Sequence, residues 1–497
     1  MANQYELDAG NTFQTIDHFG ASGAWSLDPI GSMWTEDSKN IIADLLFSVD
    51  QGIGLSGWRF AIGSGGAADG TEYPEPLQWR SHTDTFRKRA NSAYDWHTHE
   101  GQRWFMKAAK ARGVEQFIAM AYSPPAWMTK NGKITPDASA GQSNLADERI
   151  GEFAQYLADI VQHFTEDGMP FDYISPVNEP SWSWDDSKQE GNRYTNDQIK
   201  SIVRALHEEL RKRNLPVKID IAEAAEIAAM LDDKDVQTFL PHLPYYQGHV
   251  DTAHYDGKYR EYVKDFLGDA AFSPLVDHKL SYHAYWADHA DQEDRLITYR
   301  QHLRDAINRY CPGAKLWQTE YCNLNKNGPG RDLGMDMALF MARVIHYDLT
   351  VAQATAWNWW LAVSPHDYKD GLIYTDFARS GDAETIWSSK MLWTLGHFSR
   401  FVRPGAVRVA LTGVDNKEGL MASAYIHEAH RTLSVVFINY GEHDEDVEFI
   451  CKEFPVSLSK YITSDREGDD LRNFGEGFSG GVLTVPGRSI LTLHGGI

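Results

Sequence analysis

Two glutamates each close an apolar run: Glu179 in Pro176-Val177-Asn178-Glu179-Pro180, and Glu320 in Leu316-Trp317-Gln318-Thr319-Glu320-Tyr321. Two carboxyl groups aimed into one cavity can divide the work of glycoside hydrolysis. One protonates the leaving oxygen, while the other attacks, or activates water against, an oxocarbenium-like carbon. At a separation of ~5 to 5.5 Å the second carboxylate is itself the nucleophile and configuration is retained. Mutual repulsion at that distance is expected to raise the pKa of the acid/base, Glu179, while the nucleophile, Glu320, stays ionised.

Far apart in sequence, the two need a scaffold that brings strand ends together. Eight short apolar or β-branched runs, at 16–22, 55–62, 116–123, 173–179, 218–224, 278–285, 315–322 and 354–360, alternate with segments of helical period such as 35–49, 101–112, 146–166 and 196–213. That alternation implies βα units and a parallel sheet, and eight is the barrel number. The expected fold is therefore α/β, a (β/α)8 barrel over residues 16–392, with the glutamates at the carboxyl ends of its fourth and seventh strands.

Beyond residue 395 the pattern changes to alternating strands (407–411, 419–426, 432–439, 489–494) separated by Gly, Asn and Asp turns. This predicts an appended β-sandwich of residues 393–497 joined by 1–15, with the run 4–9 as an edge strand.

With 42% hydrophobic and 24% charged residues and no apolar run long enough for a membrane helix, the chain reads as soluble and globular. A formal charge of −23 disfavours nucleic acid, anionic membranes and polyanionic polymers, so a neutral oligo- or polysaccharide is the expected partner. Sixteen Trp and 23 Tyr supply flat faces for sugar stacking. Cys311, Cys322 and Cys451 show neither a disulfide framework nor metal-ligand spacing, and no cofactor or metal is expected. The first residues lack signal-peptide character, which leaves localisation open between cytoplasmic and secreted with the signal removed.

Asn178-Glu179-Pro180 on strand four with Glu320 on strand seven resembles the retaining clan A glycoside hydrolases. The run Phe13-Gln14-Thr15-Ile16-Asp17-His18-Phe19-Gly20-Ala21-Ser22-Gly23-Ala24, Gly57-Trp58-Arg59-Phe60, Ser123-Pro124-Pro125-Ala126-Trp127-Met128 and the C-terminal sandwich narrow this to a resemblance to glycoside hydrolase family 30. The subgroup it looks most like includes endo-β-1,6-galactanases. The resemblance implies that Tyr285 touches the nucleophile with His283 nearby, and it carries β-1,6-galactan as substrate. Xylanase, β-1,6-glucanase, β-xylosidase and β-fucosidase activities stay open beside it.

Read from position, Asn178 is expected on the sugar 2-hydroxyl, and Arg59 on the nucleophile through a charge-assisted hydrogen bond. Trp357 is expected as the floor of the sugar site and Trp182 and Trp184 as leaving-group contacts. Tyr122 and Trp127 divide between sugar contact and packing. Glu223 and Glu226 read as salt-bridge residues, and Gly63-Ser64-Gly65-Gly66 as a cleft loop, since no Lys-Ser/Thr follows. Two other classes remain. One is a metal-dependent hydrolase using His283, Asp288, His289 and Asp291, or His97 and His99; the other is a non-catalytic carbohydrate-binding protein on this scaffold.

Overall fold

The computed structural model describes residues 2–65, 83–137, 143–184, 189–236, 257–288, 295–324, 330–376, 384–413 and 415–497. All eight expected runs form strands of one parallel sheet: His18–Ser22, Gly57–Ile62, Gln116–Ala121, Tyr173–Ser175, Lys218–Ile219, Lys279–His283, Lys315–Glu320 and Ala356–Trp359. The first pairs with both the second and the eighth. Between the fifth and sixth, His283 N–H donates to Ala224 O at 2.7 Å and Ser281 N–H to Ile221 O at 2.7 Å, which closes the barrel. Strands such as Gly57–Ile62 are buried at every residue because the sheet is covered on both faces, which is why they read as continuous apolar runs without alternation.

The outer helices follow from capping and period. Asn196–Lys212 opens on Thr195, whose hydroxyl accepts from Gln198 N–H while the Gln198 side chain accepts from Thr195 N–H, a capping box. Its buried stripe is Ile199, Ile202, Val203, Leu206 and Leu210, one face of a 3.6-residue period. Among the described residues no helix is long and apolar enough to cross a membrane.

Among the described residues, eight C-terminal strands and the N-terminal one form a mostly antiparallel nine-stranded sheet whose core holds Tyr5, Leu7, Phe437, Phe449, Leu491 and Leu493. The N-terminal strand joins it, as expected, but not at its edge. It runs Asn3–Thr15, antiparallel to Val407–Thr412 on one side and parallel to Glu445–Ile450 on the other. The correction has a simple cause: Tyr5 and Leu7 both point into the core, and a strand paired on both sides buries them more fully than an edge strand would. Helix Lys390–Ser399, where the sequence puts the junction, is tied to this sheet by His397, whose two ring nitrogens bond Thr492 Oγ1 at 2.8 Å and Thr463 Oγ1 at 2.9 Å.

Inside the barrel, Gly20 lies where the first, second and eighth strands meet. A Cβ there would stand 2.2 Å from Asn358 Oδ1 and 2.7 Å from Gly57 O, and the backbone on that side cannot yield without moving a neighbouring strand. Gly20→Ala is expected to lower stability by ~1–3 kcal/mol, seen as a lower urea midpoint with an unchanged m-value.

Candidate active site

The carboxyl ends of the fourth to seventh strands bring four ionisable side chains into contact. Glu320 is the last residue of its strand and His283 the last of the neighbouring one. Glu179 lies on the turn after the fourth strand with φ +45°, a left-handed conformation held by its N–H, which donates to Glu223 O at 2.8 Å. Carboxylate oxygens of Glu179 and Glu320 and a ring nitrogen of His283 all lie within 4.8 Å of one another.

Beneath this pair is a charge network. His283 Nδ1 is 2.8 Å from Glu179 Oε1 and its Nε2 is 2.8 Å from Glu223 Oε2. Arg59 Nη2 donates to Glu223 Oε1 at 2.9 Å, and its Nη1 donates to Thr319 O at 2.6 Å and to Glu320 Oε2 at 3.4 Å. Thr319 Oγ1 donates to Glu223 Oε2 at 2.7 Å, and the Tyr285 hydroxyl donates to Glu320 Oε1 at 2.8 Å.

The electrostatics follow from these distances. Burial opposes charge on His283, but the Glu320 carboxylate, with hydrogen bonds to Glu179 and Glu223, lifts it to about 10, so both ring nitrogens carry protons at neutral pH. Burial disfavours the Glu223 anion as well; Arg59 first, then His283, hold it down at about 2. Glu320 differs. Burial, and after it the Glu179 charge, push it up to about 7 against the pull of His283, Arg59 and Tyr285. The group expected to stay ionised thus titrates near neutrality, because its side chain is only 6% exposed. Glu179, His283 and Glu320 are also spaced so that one ligand atom from each could surround a cation.

Arg59, His283 and Tyr285 lie within hydrogen-bond reach of Glu179 or Glu320. Arg59 makes its shorter carboxylate bond to Glu223 and its longer one to Glu320. Asn178 is buried, and its Oδ1 has no hydrogen-bond partner among the described residues. Trp182, half-buried, stacks on Trp286 with ring centroids 5.6 Å apart. Trp127 is half-buried and donates to Arg87 O at 2.7 Å; it borders a pocket of about 200 Å³ with Ser64, Thr85 and Lys88. Tyr122 is buried between Trp25 and Trp360.

Two tryptophans are misplaced by sequence reasoning. Trp357 does not floor the sugar site. Alternation gives the inward position to its neighbour Asn358, which bonds His18 and Gln318, and turns Trp357 outward, where its Nε1 donates to Asp348 Oδ2 in helix Met335–Thr350 at 2.9 Å. Trp184 is no sugar contact either. It is buried face-down on Gly191, and its Nε1 donates to Glu179 O at 3.1 Å, so it props the turn that carries Glu179.

Glu223 is the ion-pair residue expected, yet it stands in the centre of the site; only the closing of strand five against strand six put it there. Glu226 departs from the salt-bridge reading: among the described residues it has no ion pair, and burial, with Glu179 next, pushes it up to about 8. Of the metal alternative, Asp288 accepts from the Tyr321 hydroxyl at 3.0 Å and His99 is buried against Thr83 and Gln102, while His289 and Asp291 fall outside the described residues.

A family model described as O-glycosyl hydrolase family 30 matches residues 3–374. The chain belongs to that family. It spans about half the length of the first curated relative it matches. The family-30 chain is 25% identical to an endo-beta-1,6-galactanase of Hypocrea rufa over 320 residues, which is 64% of this chain but only 54% of that protein. The structure is similar to that of a conserved exported protein from Bacteroides fragilis, with a TM-score of 0.83 at 28% identity over 99% of this chain and 100% of the other. It shares the fold of a GH30 xylanase C catalytic domain from Talaromyces cellulolyticus, with a TM-score of 0.69 at 19% identity over 99% of each chain.

The Arg59–Glu223 pair is buried on both sides, so removing one partner strands the other charge in the barrel. Arg59→Met is expected to cost ~3–5 kcal/mol, read as a large fall in the thermal midpoint.

Proposed function

We propose that this family-30 hydrolase cleaves β-linked galactan with retention of configuration, through Glu320 as nucleophile and Glu179 as general acid/base. The observation that carries the mechanism is the closeness of the two carboxyl groups, with oxygens inside 4.8 Å. An inverting site needs room for a water between carboxyl groups ~6.5–9.5 Å apart, whereas ~5 to 5.5 Å suits direct attack.

In the first step Glu320 attacks the anomeric carbon while Glu179 passes its proton to the departing oxygen. In the second, the water oxygen bonds the anomeric carbon as Glu179 takes its proton, which breaks the bond to Glu320 and releases the sugar. Arg59 and the Tyr285 hydroxyl bond Glu320 from separate sides and hold one carboxylate oxygen each, which fixes the line of attack. His283 lies between the two glutamates as a fixed cation and stabilises whichever one is negative. Asn178, with an unbonded buried amide oxygen, is placed for a sugar hydroxyl. Trp182 and Trp286 line the acid/base side, where the leaving group departs.

The choice of β-1,6-galactan rests on the likeness to the Hypocrea rufa enzyme and on the net charge of −23, which suits a neutral polymer.

Incubation with β-1,6-galactan, xylan, β-1,6-glucan and aryl β-glycosides, followed by chromatography, tests the substrate; galacto-oligosaccharides are expected. Release from xylan or glucan alone would replace the substrate and keep the mechanism. A 2-deoxy-2-fluoro β-galactoside with a good leaving group is expected to label Glu320, located by peptide mass spectrometry. An α-configured first product would leave the retaining mechanism untenable.

Glu179→Gln is expected to lower kcat by roughly 10²–10⁴-fold on galactan without a change in folding, measured by circular dichroism.

The pH profile has a definite sign. Glu320 must be anionic to attack, and its pKa lies at about 7, so kcat/KM is expected to fall as pH drops through neutrality. The Tyr285 hydrogen bond lowers that pKa, so Tyr285→Phe is expected to move the acidic limb to higher pH.

A further inference from the structure

Outside the reacting centre, one buried carboxylate ties together loops from three strands. Glu190, on the loop after the fourth strand, is fully buried. Its Oε1 accepts from the Trp25 indole N–H at 2.8 Å and its Oε2 from the Ser64 backbone N–H at 3.0 Å. Trp25 lies just past the first strand and Ser64 just past the second. Ser64 Oγ in turn donates to Ser123 O, past the third strand, at 2.8 Å.

Trp25 is the point of leverage. It has φ +59°, and its ring lies 5.2 Å from both Tyr122 and Trp360. Tyr122 adjoins Glu320 and Arg59 closely enough for each to act on its hydroxyl. This aromatic group comes from the first, third and eighth strands, whereas Trp182 and Trp286 come from the loops after the fourth and sixth. Around the barrel, the first, third and eighth strands lie to one side of the line from the fourth strand to the seventh, and the sixth lies to the other.

We propose that Glu190 is a positioning residue that sets the wall of the retained-sugar subsite through Trp25. This rests on the retaining-hydrolase reading above. A carboxylate is suited to the task because it presents two acceptor oxygens to two donors, whereas a glutamine would turn an N–H against one of them.

The test is a double-mutant cycle in the full chain with Glu190→Gln, Trp25→Phe and the double variant. It uses 4-nitrophenyl β-galactoside and a β-1,6-galacto-oligosaccharide, or the matching pair for whichever sugar the wild type cleaves. Each single change is expected to lower kcat/KM by roughly tenfold or more on both substrates, since both carry the same retained sugar. The double variant is expected to lose no more than the worse single one.

Additive losses, or losses on the oligosaccharide alone, would overturn the proposal. A merely structural role would reduce the folded fraction and leave the KM of the folded enzyme unchanged, which also counts against it. Should Glu190→Gln fail to fold, Trp25→Phe still decides, because it replaces the indole with a smaller phenyl ring that has no N–H for Glu190; wild-type kcat/KM in that variant would overturn the inference. Failure of the underlying reading looks different: the wild type itself would then be inert on every β-glycoside.

Discussion

The candidate active site is built around one buried anion. Glu223 is wholly buried, and Arg59, His283 and Thr319 all converge on its two oxygens. Burying a carboxylate without partners would cost several kcal/mol, and the chain meets that cost with a guanidinium and an imidazolium. Both cations then have a second end. Arg59 reaches Glu320, and His283 reaches Glu179 and Glu320. The anion at the base thus fixes the orientation of the two cations that contact Glu179 and Glu320.

That arrangement explains the electrostatic asymmetry of the site. Three carboxylates share two cations in a space that water barely reaches, and the deeper cation contacts go to Glu223. Glu320 is left with a longer arginine contact and a tyrosine hydroxyl, too little to offset its burial and the nearby Glu179.

A second layer of residues shapes the site without touching the reacting atoms. Trp184 props the backbone of Glu179, and Glu190 joins the loops that carry Trp25 and Ser64. In a barrel each strand end delivers only one or two inward side chains, so loop-to-loop bonds of this kind determine how the loops stand relative to the strand ends.

The order of the eight strands, Glu320 at a strand end and the capped helix Asn196–Lys212 were legible in the sequence, because each is a local pattern: an apolar run ended by a polar residue, or a 3.6-residue stripe behind a Thr cap. Glu179, read as a strand end, lies instead on the turn beyond Ser175. What could not be read was anything requiring two strands to be placed against each other. Trp357 and Asn358 carry equal claims to the inward position until pairing with the seventh strand assigns it to Asn358. Glu223 looks like any acidic residue after a short strand until closure of the barrel brings it under His283, and Glu190 gains a role only when three loops meet on it. The sequence by itself determined the fold class and the candidate reacting pair; the tertiary structure alone decided the charge network beneath them, because a buried ion pair is defined by distance across the barrel and leaves no mark along the chain.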